Sequence, residues 1–212
     1  MTDLLTGLLV ESRQLGFLGP GPVEPHLHHA SAFADAVDRP PARALDLGAG
    51  GGLPGLVLAA SMWPDTRWTF VDAQARRSEF LADAVDRLGL GDRVEVITDR
   101  AEEVGRSVAH RGRFDLVVAR SFGPPCVTAE CGAPLLVVGG DLVVSEPPVD
   151  RAAADPGRWP STGLALLGLG PASLIVAGSP GAPVHLARMR LVDVVGERYP
   201  RRTGIPAKRP LF

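Results

Sequence analysis

Apolar positions along this chain change their spacing several times, and each change predicts an element. Residues 2–16 put Leu4, Leu5, Leu8 and Leu9 on one side of a helix, with Thr2 as N-cap. LGPGPVEP (18–25) reads as a loop and HLHHASAFADAV (26–37) as a second helix. From residue 42 onward, short apolar runs alternate with helical spacing. ARALDL (42–47), RWTFVD (67–72), RVEVIT (93–98), FDLVVA (114–119) and DLVVS (141–145) read as strands. Between them, 53–62 reads as a helix with Pro54 in its first turn, 73–89 as a helix ended by glycine, and 101–109 as a short helix. Residues 126–138 are mixed and 146–163 turn-rich, while ASLIVA (172–177) and VHLARMRLV (184–192) form a hairpin across GSPGAP.

Strand–helix alternation predicts an α/β fold, a parallel sheet with helices on both faces. Ligands in such sheets bind beyond the carboxyl ends of the strands. The site is therefore expected from Asp46–Gly55, Asp72, Asp99–Glu102, Arg120–Phe122 and Ser145–Pro148. The chain divides into a helical extension (1–40), a central domain (41–195) and a basic tail (196–212).

Composition narrows the function classes. Apolar residues make up 45% of 212 residues, enough for a sizeable core. No apolar run is long enough for a membrane span, and Asp3 and Glu11 sit where a signal peptide would be basic, so the expected location is the cytoplasm. A net charge of −2 confines any polyanion site to a local patch. Lys208 is the one lysine among 22 basic residues, so phosphate contacts would fall to arginine forks. The tail from Arg198 carries five basic residues and no acidic one, which suits either a solvated end or a phosphate-contacting strap. Cys126 and Cys131 match no zinc or redox spacing and read as buried thiols. His26, His28 and His29 lack a carboxylate partner in sequence, so no metal is expected.

The densest chemistry is LDLGAGGGLPG. Gly50, Gly52 and Gly55 spell the dinucleotide fingerprint, whereas Gly48, Gly50 and Gly52 spell GxGxG with Asp46 just ahead. A carboxylate at the mouth of the loop would repel a pyrophosphate but suits the ammonium and sulfonium of S-adenosylmethionine. Asp72 ends its strand where it can accept both ribose hydroxyls.

LDLGAGGGLPG, TFVDAQARRSEFL, DRAEEV, VVARSF and the tail ERYPRRTGIPAKRPL resemble the bacterial small-subunit rRNA guanine-N7 methyltransferases, the RsmG or GidB family. The resemblance implies a Rossmann-like class I methyltransferase fold, a mostly parallel seven-stranded sheet ending in a β-hairpin. It implies S-adenosylmethionine at Asp46, Gly48, Gly50, Gly52, Leu53, Asp72, Ala101, Glu102 and Arg120. Arg100 and Arg120 are implied to face the reaction, and Glu146, Arg201, Arg202 and Lys208 the substrate. The implied partner is small-subunit rRNA or the ribosomal particle, met by a monomer. Three positions depart from the family: Glu146 stands where it carries a lysine, Val184 where its terminal hairpin carries an arginine, and HLHHA (26–30) where an arginine–histidine is expected. If Glu146 points into the pocket, it favours a cationic or hydrogen-bond-donating substrate. The alternatives are a paralogue methylating another RNA or a small molecule, a non-catalytic cofactor- or RNA-binding module, and a nicotinamide dehydrogenase.

Overall fold

The computed structural model describes residues 2–147 and 157–212. In chain order the elements are α1 (Thr2–Gln14), α2 (Glu24–Ser31), β1 (Arg43–Leu47), α3 (Gly55–Val57), β2 (Arg67–Asp72), α4 (Ala75–Arg87), β3 (Val94–Thr98), α5 (Ala101–Arg106), β4 (Phe114–Ala119), α6 (Pro125–Gly132), β5 (Leu136–Glu146), α7 (Ser161–Ala165), β6 (Ser173–Ser179), β7 (Ala182–Arg190) and α8 (Ile205–Lys208). The seven strands form one sheet in the order β3-β2-β1-β4-β5-β7-β6. β1 to β5 are parallel and β7 runs antiparallel to both β5 and β6.

Period-2 alternation sends Ala44, Phe70, Val118 and Val143 to one face and Leu45, Leu47, Val117 and Leu142 to the other. The first face is covered by α1, α2 and α4, through Leu5, Leu8, Leu9, Phe33 and Leu81. Each leucine of α1 buried there contributes roughly 1.5–3 kcal/mol, so the 1–40 segment is part of the main core. The second face is covered by α5, α6, α7 and the chain after β7, through Val104, Ala129, Cys131, Leu164, Val195 and Tyr199.

Several boundaries move from their sequence expectation. Thr2 is the first helical residue of α1, and the residue before it lies outside the described ones. The second helix starts earlier, at Glu24, because Pro25 fits a first helical turn; it then tightens into a 3-10 stretch at Ala32–Ala36. Pro54 caps α3 from outside it, and α3 widens into a π turn at Leu58–Met62. β5 begins at Leu136, with its register shifted opposite the Phe114–Leu116 stretch of β4. The hairpin closes through Pro180 and Gly181 alone, a tighter turn than GSPGAP suggests. Of the turn-rich stretch, 148–156, Pro148 included, lies outside the described residues. The terminal tail is folded onto α5 and α6 and ends in α8, so the solvated-end alternative does not hold. Among the described residues no helix is long and apolar enough to cross a membrane.

Candidate active site

At the carboxyl ends of β1, β2, β4 and β5 three cavities meet. One, of about 220 Å³, is lined by Asp72, Arg100, Ala101, Glu102, Val127 and Ala207. A second, also about 220 Å³, lies against Gly48–Gly51, Leu53, Arg77, His26 and Arg120. The third, about 360 Å³, is bounded by His29, Arg120, Glu146, Arg158 and Trp159. Gly48 is common to the first two, Arg120 and Ser121 to the last two, and Phe122 to the first and third, so they form one continuous crevice. A larger groove of about 810 Å³ lies at the opposite, amino end of the strands. Its charges cancel internally, because Asp141 takes both Arg188 and Arg190 and Asp38 takes Arg188.

The glycine loop bends from β1 back beneath itself. Gly48 has φ +74°, and a Cβ there would sit 2.6 Å from Cδ2 of Phe122, so glycine admits both the turn and the ring. The loop amides are turned inward. Gly48 and Ala49 N–H both donate to the Val71 carbonyl, and Gly52 N–H to the Ala49 carbonyl. Gly50 N–H donates to Oδ2 of Asp72 at 2.9 Å, and Gly55 N–H to Oδ2 of Asp46 at 2.7 Å.

Asp46 is fully buried and lines none of the three cavities. It braces the turn from below, with Oδ1 unpartnered among the described residues. Burial pushes its carboxyl up to about 7, helped by nearby Asp72 and opposed by the Gly55 hydrogen bond and by Arg120. The expected contact of Asp46 with a ligand at the loop mouth is therefore replaced by an internal hydrogen bond. Asp72 does line the crevice, and its second oxygen accepts the Gln74 N–H at 2.9 Å. Each carboxylate oxygen retains a further lone pair for a ligand.

Arg120 directly follows β4, and the next residue, Ser121, holds φ +54°, a conformation uncommon outside glycine. Its guanidinium donates to Nδ1 of His26 at 2.8 Å, and among the described residues no carboxylate forms an ion pair with it. Burial lowers the affinity of Arg120 for its proton, with Asp46 acting the other way. Burial and the same arginine lower His26, and burial, Arg120, His26 and His28 bring His29 to about 4, so both rings are neutral near pH 7. The result is a half-buried cation facing a cavity, with no carboxylate paired to it among the described residues. His28 lies apart from this pair, hydrogen-bonded to the Ala182 carbonyl.

Arg100 is separated from Arg120. It lines the Asp72 cavity alone, half exposed, 3.3 Å from Glu102. Glu102 is buried, and its Oε1 accepts the Gly204 N–H at 2.9 Å. Burial alone would raise this carboxyl, but hydrogen bonds from Gly204, its own N–H and Arg100 outweigh that and hold it below the usual range.

Glu146 points into the third cavity but is not free. Its oxygens accept Nε of Arg158 at 2.8 Å, Nη2 of Arg158 at 3.3 Å and Nε1 of Trp159 at 3.1 Å. The departure in sign at this strand end thus brings its own arginine with it. Val184 is buried, 4% exposed, in the first-face core. In the tail, Arg201 is committed to Glu130, with Nε–Oε1 2.8 Å and Nη2–Oε2 2.6 Å, while Arg202 and Lys208 are exposed. Arg202 and Lys208 thus present their charges to solvent, whereas two edges of the Arg201 guanidinium are taken by Glu130. His26, Arg77, Arg158, Trp159 and Ala207 were not singled out by sequence as site residues. Arg77 and Ala207 lie inside two of the family-like motifs, TFVDAQARRSEFL and ERYPRRTGIPAKRPL, whereas His26, Arg158 and Trp159 reach the site from stretches that no local motif marks.

A family model described as GidB, rRNA small subunit methyltransferase G, matches residues 23–146. A ribosomal RNA small subunit methyltransferase G of Deinococcus radiodurans is 36% identical over 80% of this chain and 66% of its own length. One of Parasynechococcus marenigrum is 34% identical over 79% of this chain and 67% of its own length. The chain thus spans about two thirds of the length of these relatives, marginally less for the first. Among solved structures, the O-methyltransferase TomG of Streptomyces achromogenes, in complex with SAM, superposes with a TM-score of 0.62 at 19% identity, covering 90% of each chain. That likeness carries the fold alone. On the match of the family model and the identity to these relatives, the chain belongs to the rRNA small subunit methyltransferase G family.

Proposed function

We propose that this chain is an S-adenosylmethionine-dependent methyltransferase that modifies guanine N7 in small-subunit rRNA, acting as a monomer in the bacterial cytoplasm. The observation that carries the cofactor reading is the inward turn of the loop amides. Gly48, Ala49, Gly50, Gly52 and Gly55 all donate to protein acceptors, two of them carboxylates. A pyrophosphate needs those N–H groups turned outward and no carboxylate beneath them. The residues therefore fit a phosphate-free, cationic ligand and not a dinucleotide.

Asp72 would hold the ribose, and the apolar wall of Phe122, Val127 and Ala207 suits a flat base beside Ala101. The glycine loop and Leu53 would hold the methionine portion, with Arg77 and Arg120 near enough to take its carboxylate. Bound there, the cofactor supplies an electrophilic methyl group on a sulfonium. Guanine N7 has a free lone pair at neutral pH, so the chain need only align it, and no general base is required. The neutral His26 and His29 leave Arg120 as a fixed donor, suited to guanine O6 or a flanking phosphate. With Glu146 paired to Arg158, the described residues put two arginines and one carboxylate around the third cavity, which is compatible with an RNA ligand. Arg202 and Lys208 would meet the phosphates outside.

The test is transfer of labelled methyl groups from S-adenosylmethionine to unmethylated small ribosomal subunits, beside calorimetric binding of adenosylhomocysteine. Incorporation mapped to a guanine N7 supports the reading. Binding without incorporation into any ribosomal RNA overturns the substrate, and absence of binding overturns the cofactor.

A further inference from the structure

One wall of the Asp72 cavity comes from the far end of the chain. Ala207, in α8, lines it beside Asp72, Ala101 and Glu102, yet nothing local in sequence holds residue 207 there. Its placement depends on a set of long-range contacts. Glu130 of α6, wholly buried, takes the Arg201 side chain in a two-pronged pair and also accepts its backbone N–H at 2.9 Å. Arg111 donates to the carbonyls of Tyr199, Val195 and Gly196, at 2.6, 2.8 and 3.2 Å. Arg106 donates to the Pro200 carbonyl at 3.1 Å. Glu102, itself a lining residue, accepts the Gly204 N–H.

Between Tyr199 and Lys208 the tail pairs with no strand among the described residues and α8 is a single turn, so the wall is held by these contacts together with the Thr203 hydroxyl on Glu103 and Leu211 and Phe212 in the second-face core. An arginine paired two-pronged with a wholly buried carboxylate is the strongest of them, because separating the two would leave Glu130 charged and unpaired in the interior.

We infer that residues 199–208 form a cofactor-holding strap and that Glu130 is a positioning residue for the cofactor, although it does not line the crevice. This rests on the reading of the Asp72 cavity as the adenosine site. Linkage makes the effect reciprocal: a ligand that touches Ala207 favours the docked strap, and docking the strap favours the ligand to the same degree. The exposed cations Arg202 and Lys208 then ride on the same segment, with Arg209 immediately after it.

The experiment uses the full chain and adenosylhomocysteine as probe. Ala207→Trp fills the cavity from an exposed position, so it is expected to weaken binding tenfold or more with an unchanged melting temperature. Glu130→Gln is expected to weaken binding about tenfold when measured well below its own melting temperature. In wild type the probe should slow tryptic cleavage after Arg202 and Lys208, and Glu130→Gln should cleave faster than wild type. A merely structural Glu130 would lower the melting temperature and leave both affinity and ligand-dependent protection as in wild type, and that result overturns the proposal. So does wild-type affinity in Ala207→Trp. If wild type does not bind the probe at all, the cofactor reading itself falls.

Discussion

Replacing Glu146 with alanine tests whether its carboxylate is committed to the protein or available to a substrate. The side chain is 3% exposed and its partner Arg158 27% exposed. Removing one member of a fully buried pair costs about 3–5 kcal/mol, but the exposure of Arg158 lets water recover part of that, leaving about 2 kcal/mol. The Trp159 N–H loses its acceptor as well, adding about 1 kcal/mol. The sum, about 3 kcal/mol, corresponds to a fall in melting temperature of roughly 6–12 °C for a domain of this size. Urea denaturation of Glu146→Ala, Arg158→Met and the double variant closes a cycle, with an expected coupling of about 1–2 kcal/mol. Glu146→Gln, which keeps one acceptor, should fall between wild type and alanine. A destabilisation under about 0.5 kcal/mol with additive single variants would refute the pairing, and Glu146 would again be a carboxylate free to select a cationic substrate.

Three further outcomes follow from the site. Gly48→Ala must hold φ +74° and displace the Phe122 ring, so it should lose about 1–3 kcal/mol of stability and weaken adenosylhomocysteine binding, both measurable on one purified variant. Asp46 has a folded-state pKa near 7, raised above its unfolded value, so its contribution is fully present below about pH 4 and is lost as pH rises towards 7. Asp46→Asn should remove that slope, worth at most about 2.5 kcal/mol between about pH 5 and about pH 8, where urea midpoints are compared. Arg120→Lys keeps the charge but loses the fork that reaches His26 and a ligand together. Losing one charge-assisted hydrogen bond of about 1.5–3 kcal/mol should lower kcat/KM on ribosomal subunits by about 10- to 100-fold.

What was legible in the sequence was periodic or local. The short apolar runs of β1, β2 and β4, buried nearly throughout, and the glycine loop with Asp72 need only neighbouring residues to be recognised, and they put the crevice at the strand ends. Element ends were less legible where two structures of similar energy compete. The 26–37 segment tightens to a 3-10 turn after Ser31, and β5 starts early because the glycines at 139 and 140 allow a bulge where a break was expected. A charge partner close in sequence was legible, as for Arg100 and Glu102, but a distant one was not. Arg201 and Arg202 are adjacent and chemically identical, yet one is locked to Glu130, 71 residues away, and the other faces solvent.

The same limit explains the two carboxylates read as ligand contacts. Asp46 and Glu146 sit at strand ends, where a carboxylate facing a cavity is a natural inference. A buried carboxylate, however, must find donors before it can serve a ligand. Asp46 finds the Gly55 N–H nine residues on, and Glu146 finds Arg158 and Trp159, 12 and 13 residues on. Both are thereby turned from contacts into supports: one fixes the loop that would cradle the cofactor, the other fixes an arginine beside the cavity that would take the base. Substituting either should therefore disturb stability before it disturbs recognition, whereas Arg120, whose charge no carboxylate pairs with among the described residues, should behave the other way round.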